Sequence, residues 1–203
     1  MINSKSSGLM LAAGFVAFVV MTVSQMLQGD TGGTAGALAW AASSDDWQMI
    51  MPIRMLAVIL MLVFTVGFTS WARNSSESSG LINLGVHFTL LGAFLMFVSL
   101  ISQLAGFDVA SDSADPVEAA HALLKLSGMS SWFGGISFGF SFFLVGTKLY
   151  LEKAGKPALN GILAVLGLVA VVGAFVNWFI WVICFGIAVL ILAIIGLQKA
   201  MRA

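Results

Sequence analysis

Residues 157–198 run for forty-two positions without an Asp, Glu, Lys or Arg. A membrane helix needs about 20 apolar residues to cross a hydrocarbon core of about 30 Å. The stretch is too long for one crossing and right for two. Asn177, followed by Trp178 and Trp181, marks the turn between them, because indole rings favour the membrane–water boundary. A water-soluble alternative fails on composition. Charged residues make up 9% of the chain and mean hydropathy is +1.03, whereas soluble domains carry about 25% charged residues.

The rest of the chain divides in the same way. Residues 6–29 are uncharged, and their apolar run exceeds the roughly 7–15 residues of a signal-peptide core, so an uncleaved first span at about 8–28 is expected. Residues 30–46 read as a Gly/Ala/Ser loop with Asp30, Asp45 and Asp46. Ser44, Asp45 and Asp46 look like a helix start, with the acids capping and binding no metal. The second span follows at about 48–71. Arg54 lies two turns into it and is expected to snorkel to headgroups at the outer boundary, with a ligand-site arginine as the alternative. Residues 73–79 are polar, and the third span covers about 80–104.

After an acidic segment, Asp115-Pro116-Val117-Glu118 reads as another helix start. One helix from Pro116 to Tyr150 would measure about 52 Å. That exceeds a span, so a break near Gly128 is expected, with an interfacial helix at about 116–127 before a fourth span at about 130–150. The fifth and sixth spans are about 158–176 and 179–198. The expected fold is all-α: one polytopic membrane bundle over 1–203, with six transmembrane helices and one short interfacial helix.

Charge sets the orientation. With the N-terminus inside, Lys5, Arg73, Lys148, Lys153, Lys156, Lys199 and Arg202 fall on the inner side, and only Arg54 and Lys125 on the outer. The positive-inside rule then places both termini in the cytoplasm. Ser24-Gln25 and Ser102-Gln103 recur before acidic loops, and VGFTSWAR (Val66–Arg73) is echoed by VGTKLY (Val145–Tyr150). Two parallel hairpins, 8–73 and 80–150, are implied, an arrangement also found in transporters.

The fourth span carries small residues at every fourth position: Ser127, Ser131, Gly135 and Gly139. On a helix these share one face, which predicts a close-packing seam, since helices in lipid associate where backbones can approach. Phe142 is expected to face lipid.

Candidate sites are few. His87, one turn after Asn83, is the ionisable group deepest in a span. Such residues point to function: haem or pigment ligation, proton relay, or a polar Asn83/His87 patch bonding a neighbour near Thr65, Thr69 or Thr147. His121 lies toward the outer side and forms a solvated stripe with Glu118 and Lys125. Asp108, Asp112, Asp115 and Glu118 lack the tight spacing and Gly turn of hard-cation loops. Met49, Met51 and Met55 have no Cys or His nearby to complete a copper site. Cys184 is the only cysteine, inside an apolar run. No nucleophile–base pair or metal cluster is visible, so neither an enzyme nor a bound cofactor is expected. Zero net charge gives no reason to expect nucleic acid. The expected partners are the lipid bilayer and other membrane subunits or a second copy.

The Gly/Ala-rich loop at Gly29–Ala42, the acidic third loop, and the histidine ahead of a Gly/Phe-rich span in AHALLKLSGMSSWFGGISFGF (Ala120–Phe140) together resemble a widespread bacterial family of six-span membrane proteins of unknown function. The basic close VGTKLYLEKAGKP belongs to the same pattern. The resemblance implies a fold and a membrane and carries no activity; the expected location is the bacterial inner membrane. Three functions stand open: a structural or accessory subunit, a small transporter or channel, and a haem- or pigment-binding subunit using His87.

Overall fold

A computed structural model of the protein describes residues 4–76, 79–112 and 118–202. They form seven helices: α1 (Ser4–Gln28), α2 (Thr34–Ser43), α3 (Asp46–Ser75), α4 (Gly80–Ser111), α5 (Glu118–Leu151), α6 (Pro157–Val176) and α7 (Trp178–Met201). All but α2 are long and apolar enough to cross a membrane. The chain is a multi-pass membrane protein built as an all-α bundle.

The six long helices close into a ring. α1 packs on α3 and α7, α4 on α3 and α5, and α6 on α5 and α7. Aromatic rings fill the middle. Phe64 and Phe68 from α3 meet Phe138 and Phe142 from α5 and Phe185 from α7, with centroids 5.6–6.4 Å apart. Trp181 stacks on Phe185 at 4.9 Å. Phe142 is therefore core rather than lipid-facing, at 1% exposed. The expectation failed because α5 carries aromatic residues on both its inner and its outer face, and Phe142 turns into the ring against Phe64, Phe68 and Phe185. Both termini, the connection after Ser75 and the 151–157 turn lie at one end of the bundle. The termini meet where Gly8 approaches Gly196 so closely that a Cβ on Gly8 would stand 2.3 Å from the Gly196 carbonyl oxygen.

The opposite end is built differently from the expectation. Residues 34–43 are helical rather than loop. Alanine, the best helix former, dominates TAGALAWAAS, and Leu38 and Ala41 give α2 a buried face. Gly29, Gly32 and Gly33 precede it at φ of 72°, 68° and 92°, a left-handed turn that glycine adopts without a Cβ clash. At the start of α3, the Asp46 N–H donates to Ser44 Oγ at 3.0 Å, while the Asp45 side chain makes no capping bond.

The break expected near Gly128 is absent. α5 is one helix of 34 residues, and no separate interfacial helix occupies 118–127. The proposed start at Asp115 and Pro116 lies outside the described residues. A Cβ on Gly128 would meet nothing, so no clash bends the helix there. Instead α4 and α5 continue together as a hairpin. Ala120 and Leu124 of α5 join Phe107 and Ala110 of α4 and Leu38 and Ala41 of α2 in a second apolar cluster. α4 exceeds α6 by about 18 Å, at about 1.5 Å per residue. Burial against α2 stabilises the overhang, so it does not need to lie flat on the bilayer.

Candidate functional site

Arg54 was expected at headgroups but is only 4% exposed. It sits two turns into α3 and turns toward α1. Its Nε donates to Ser24 Oγ at 3.3 Å, and a terminal nitrogen donates to Gln28 Oε1. The Ser24 hydroxyl in turn donates to the Met21 carbonyl at 2.7 Å, which leaves its lone pairs facing the guanidinium. The α4–α5 hairpin forms the far wall of the cavity beside it, and the side chain bonds inward to α1. A charged side chain at the centre of a membrane helix costs about 2.5–3.5 kcal/mol on insertion scales, and two neutral acceptors offset only part of that. Among the described residues the one ion pair is Lys148 with Glu152, at 2.6 Å and at the other end of the bundle.

Arg54 borders a cavity of about 230 Å³ between α1, α3, α4 and α5. Gln25, Gln28, Gln103, Ser99 and Ser127 supply its polar wall. Ser99 and Ser127 share a hydrogen bond of 3.0 Å across the α4–α5 contact. A second, apolar space of about 90 Å³ continues inward, lined by Phe18, Met61, Trp181 and Phe185. Met21, Gln25, Val58, Met96 and Ser131 wall both.

The small-residue face of α5 serves two purposes along its length. Ser127 and Ser131 line the polar cavity, and Ser131 Oγ donates to Met96 Sδ at 3.9 Å. Gly135 receives Trp181, whose Nε1 donates to the Gly135 carbonyl at 2.9 Å. A Cβ at Gly135 would lie 2.7 Å from that ring. At Gly139 a Cβ would lie 2.8 Å from Val171 Cγ2 and 3.1 Å from the Gly167 carbonyl oxygen. The face meets α4 in its first half and α7 and α6 in its second.

His87 stands exposed on the outer side of α4. Its Nδ1 pairs with the Asn83 carbonyl of its own helix at 2.7 Å. Thr65 donates to Met61 in its own helix. The α4–α5 polar contact nearest to His87 is made two residues on, by Thr89 and Ser141. His121 is half-buried in a shallow groove with Glu118, Lys125 and Leu38. Among the described residues no three His, Cys, Asp or Glu side chains come together as a metal site.

At the end carrying the termini, Lys156, Lys199, Arg202, Trp71 and Asn160 line a basic hollow of about 400 Å³. Beside it, the hydrogen bond from Lys148, together with one from the Ser76 hydroxyl, holds the Glu152 carboxyl below its usual range.

The sequence favours a headgroup anchor over a ligand site for Arg54, although a pattern pointed to the site. Ser24-Gln25 and Ser102-Gln103 lie at matching depths of α1 and α4, and Ser24, Gln25 and Gln103 converge around the guanidinium's cavity. Comparison with known proteins finds no matching family model, curated protein or solved structure.

Proposed function

We propose that the protein is a non-enzymatic structural or accessory subunit of the bacterial inner membrane, with both termini in the cytoplasm, and that it meets other membrane proteins through the outer face of α4. The observation that carries this reading is the outward placement of His87. With Nδ1–H donated to the Asn83 carbonyl, the ring presents the Nε2 lone pair to whatever covers α4. Lipid chains offer that nitrogen no donor, whereas a neighbouring protein can. Leu84, Leu91 and Phe94 are exposed around it and complete an apolar contact surface. The aromatic filling of the ring argues against a transport path along the bundle axis. The resemblance to the six-span family and the run of lysines and arginines at the terminal end support the membrane and its orientation.

A photo-crosslinking residue at Leu91, irradiated in native membranes, tests the reading. The expected result is a discrete protein adduct that falls at least severalfold when His87→Leu is added. Adducts with lipid alone would overturn it. The same Nε2 lone pair suits an axial haem ligand, so an absorption spectrum of the purified protein belongs beside it. A Soret band lost in His87→Ala would replace the accessory reading with the haem-binding one.

A further inference from the structure

We propose that the cavity beside Arg54 binds an anionic amphiphile, with an oxyanion headgroup on the guanidinium and an unbranched chain entering the apolar space between Phe18, Met61, Trp181 and Phe185. This goes beyond the accessory reading and depends on none of its residues.

Three observations converge. The first is a buried cation without an acid. A guanidinium has five N–H groups in a planar fork. Ser24 and Gln28 accept two, and no described carboxylate reaches the rest. Buried charges are normally paired, and Arg is the side chain best shaped to hold an oxyanion through two parallel bonds. The second is the company it keeps. The Gln25 and Gln103 amides line the same cavity as the guanidinium, which supplies further donors for an oxyanion. Among the described residues no acid lines it to receive a choline or an ammonium. The described wall therefore favours a negative head.

The third observation is the shape of the space. An inorganic anion would need only the polar chamber of about 230 Å³, which at roughly 30 Å³ per water is the room of seven or eight waters. The site does not stop there. Across Met21 and Met96 lies a second, smaller chamber of about 90 Å³, walled in part by aromatic rings, that takes the start of a chain. Thioether side chains are flexible, and at such a junction they can move aside for a chain. A polar head chamber leading to an apolar tail chamber matches a molecule with the same division. Gln25 and Gly128 are exposed at the rim, so the head chamber opens to the outside of the bundle.

Two sources share this chemistry: a free fatty acid, with a carboxylate head, and a phospholipid or its breakdown product, with a phosphate head. The purified full chain, in a non-ionic maltoside detergent, is titrated with decanoate, decyl phosphate, decanol and inorganic phosphate, and binding is followed by calorimetry. A decanoate brominated at its far end is added to quench tryptophan fluorescence on contact. The expected result is saturable binding of decanoate or decyl phosphate, at least tenfold tighter than decanol or inorganic phosphate. Quenching by the brominated chain should fall in Trp181→Phe and be largely lost when Trp178→Phe, on the same wall, is added. A tighter decanoate identifies the fatty-acid source, and a tighter decyl phosphate the phospholipid source.

Arg54→Gln should weaken binding at least tenfold at unchanged helical content. If that variant does not fold, Gln103→Leu serves in its place and should weaken binding severalfold. Decanol binding as well as decanoate would overturn the role of charge. Inorganic phosphate binding as well as decyl phosphate would overturn the role of the chain. Wild-type affinity in Arg54→Gln, or in Gln103→Leu where that variant substitutes for it, would overturn the site.

Discussion

Arg54 and His87 have exchanged the places that the sequence suggests for them. The arginine was expected to reach out and is buried; the histidine, expected to be the deepest ionisable group, stands outside and is no deeper than Arg54. The physical reason is that a helix apolar on all sides carries no periodic contrast to say which side is in. In water an amphipathic stripe orients a helix, whereas lipid rewards apolar residues on the outer face too. The depth of a residue in a span was therefore legible, but its direction was not. Lys153 shows a different limit at the same scale. It ends α5 in the left-handed region, at φ 53°. Its N–H reaches the Tyr150 carbonyl at 3.0 Å, and the Ala154 N–H reaches the Leu149 carbonyl at 2.9 Å. This pair of bonds is the Schellman motif, in which glycine is the usual residue at the position Lys153 holds. Lysine there bears a Cβ clash of about 1 kcal/mol. Lys153→Gly relieves the clash but frees the unfolded chain. The expected net change is a stabilisation below about 1 kcal/mol, read as a raised midpoint in thermal unfolding in detergent. A lowered midpoint would mean that the lysine side chain contributes more than its backbone costs.

At the scale of the element, α5 earns its central position through small residues, and their four-residue spacing was readable because close approach needs small side chains in any solvent. The partner of each position was not readable, since it depends on which helices the ring places beside α5. Gly135 is the sharpest case, because it meets a ring and also accepts that ring's hydrogen bond. Gly135→Leu must displace Trp181 from Phe185 and break the bond to the carbonyl. Overpacking costs about 1–3 kcal/mol and a lost hydrogen bond about 0.5–1.5 kcal/mol, so a loss of about 2–4 kcal/mol is expected. Phe142 cannot serve as the lipid-facing control, being core. Phe133 lies on the same helix and is 47% exposed, so Phe133→Leu is the proper comparison. Equal detergent stability of the two variants would mean that Trp181 can leave Gly135 without cost. The continuous α5 was hidden for a related reason. Its length argued for a break only while a bilayer was the sole surface considered, and α2, read as loop, supplies the other surface.

At the scale of the molecule, alternation of six long helices puts the connections into two groups. Asp45, Asp112 and Trp178 belong to the end with α2, and Ser75 and Ala154 to the end with the termini. This partition was legible in the sequence because it follows from counting apolar runs, which no detail of packing alters. What the partition does not contain is a sign, and charge supplies it. The hollow at the terminal end gathers Lys156, Lys199 and Arg202, while Asp30, Asp45 and Asp46 are exposed at the other end. Lysine and arginine resist translocation and acids contribute little to orientation, so the terminal end is expected to stay in the cytoplasm. Single cysteines at 45, 112, 178, 75 and 154 test both halves of the argument in intact cells with a membrane-impermeant maleimide. Cys184 is buried, and Cys184→Ala removes it from the background. Positions 45, 112 and 178 should label before lysis, and 75 and 154 only after it. Labelling of 45 and 154 from one side would break the six-span alternation itself. Labelling of 75 and 154 alone in intact cells would keep the bundle and invert it, so that charge asymmetry would no longer account for its orientation.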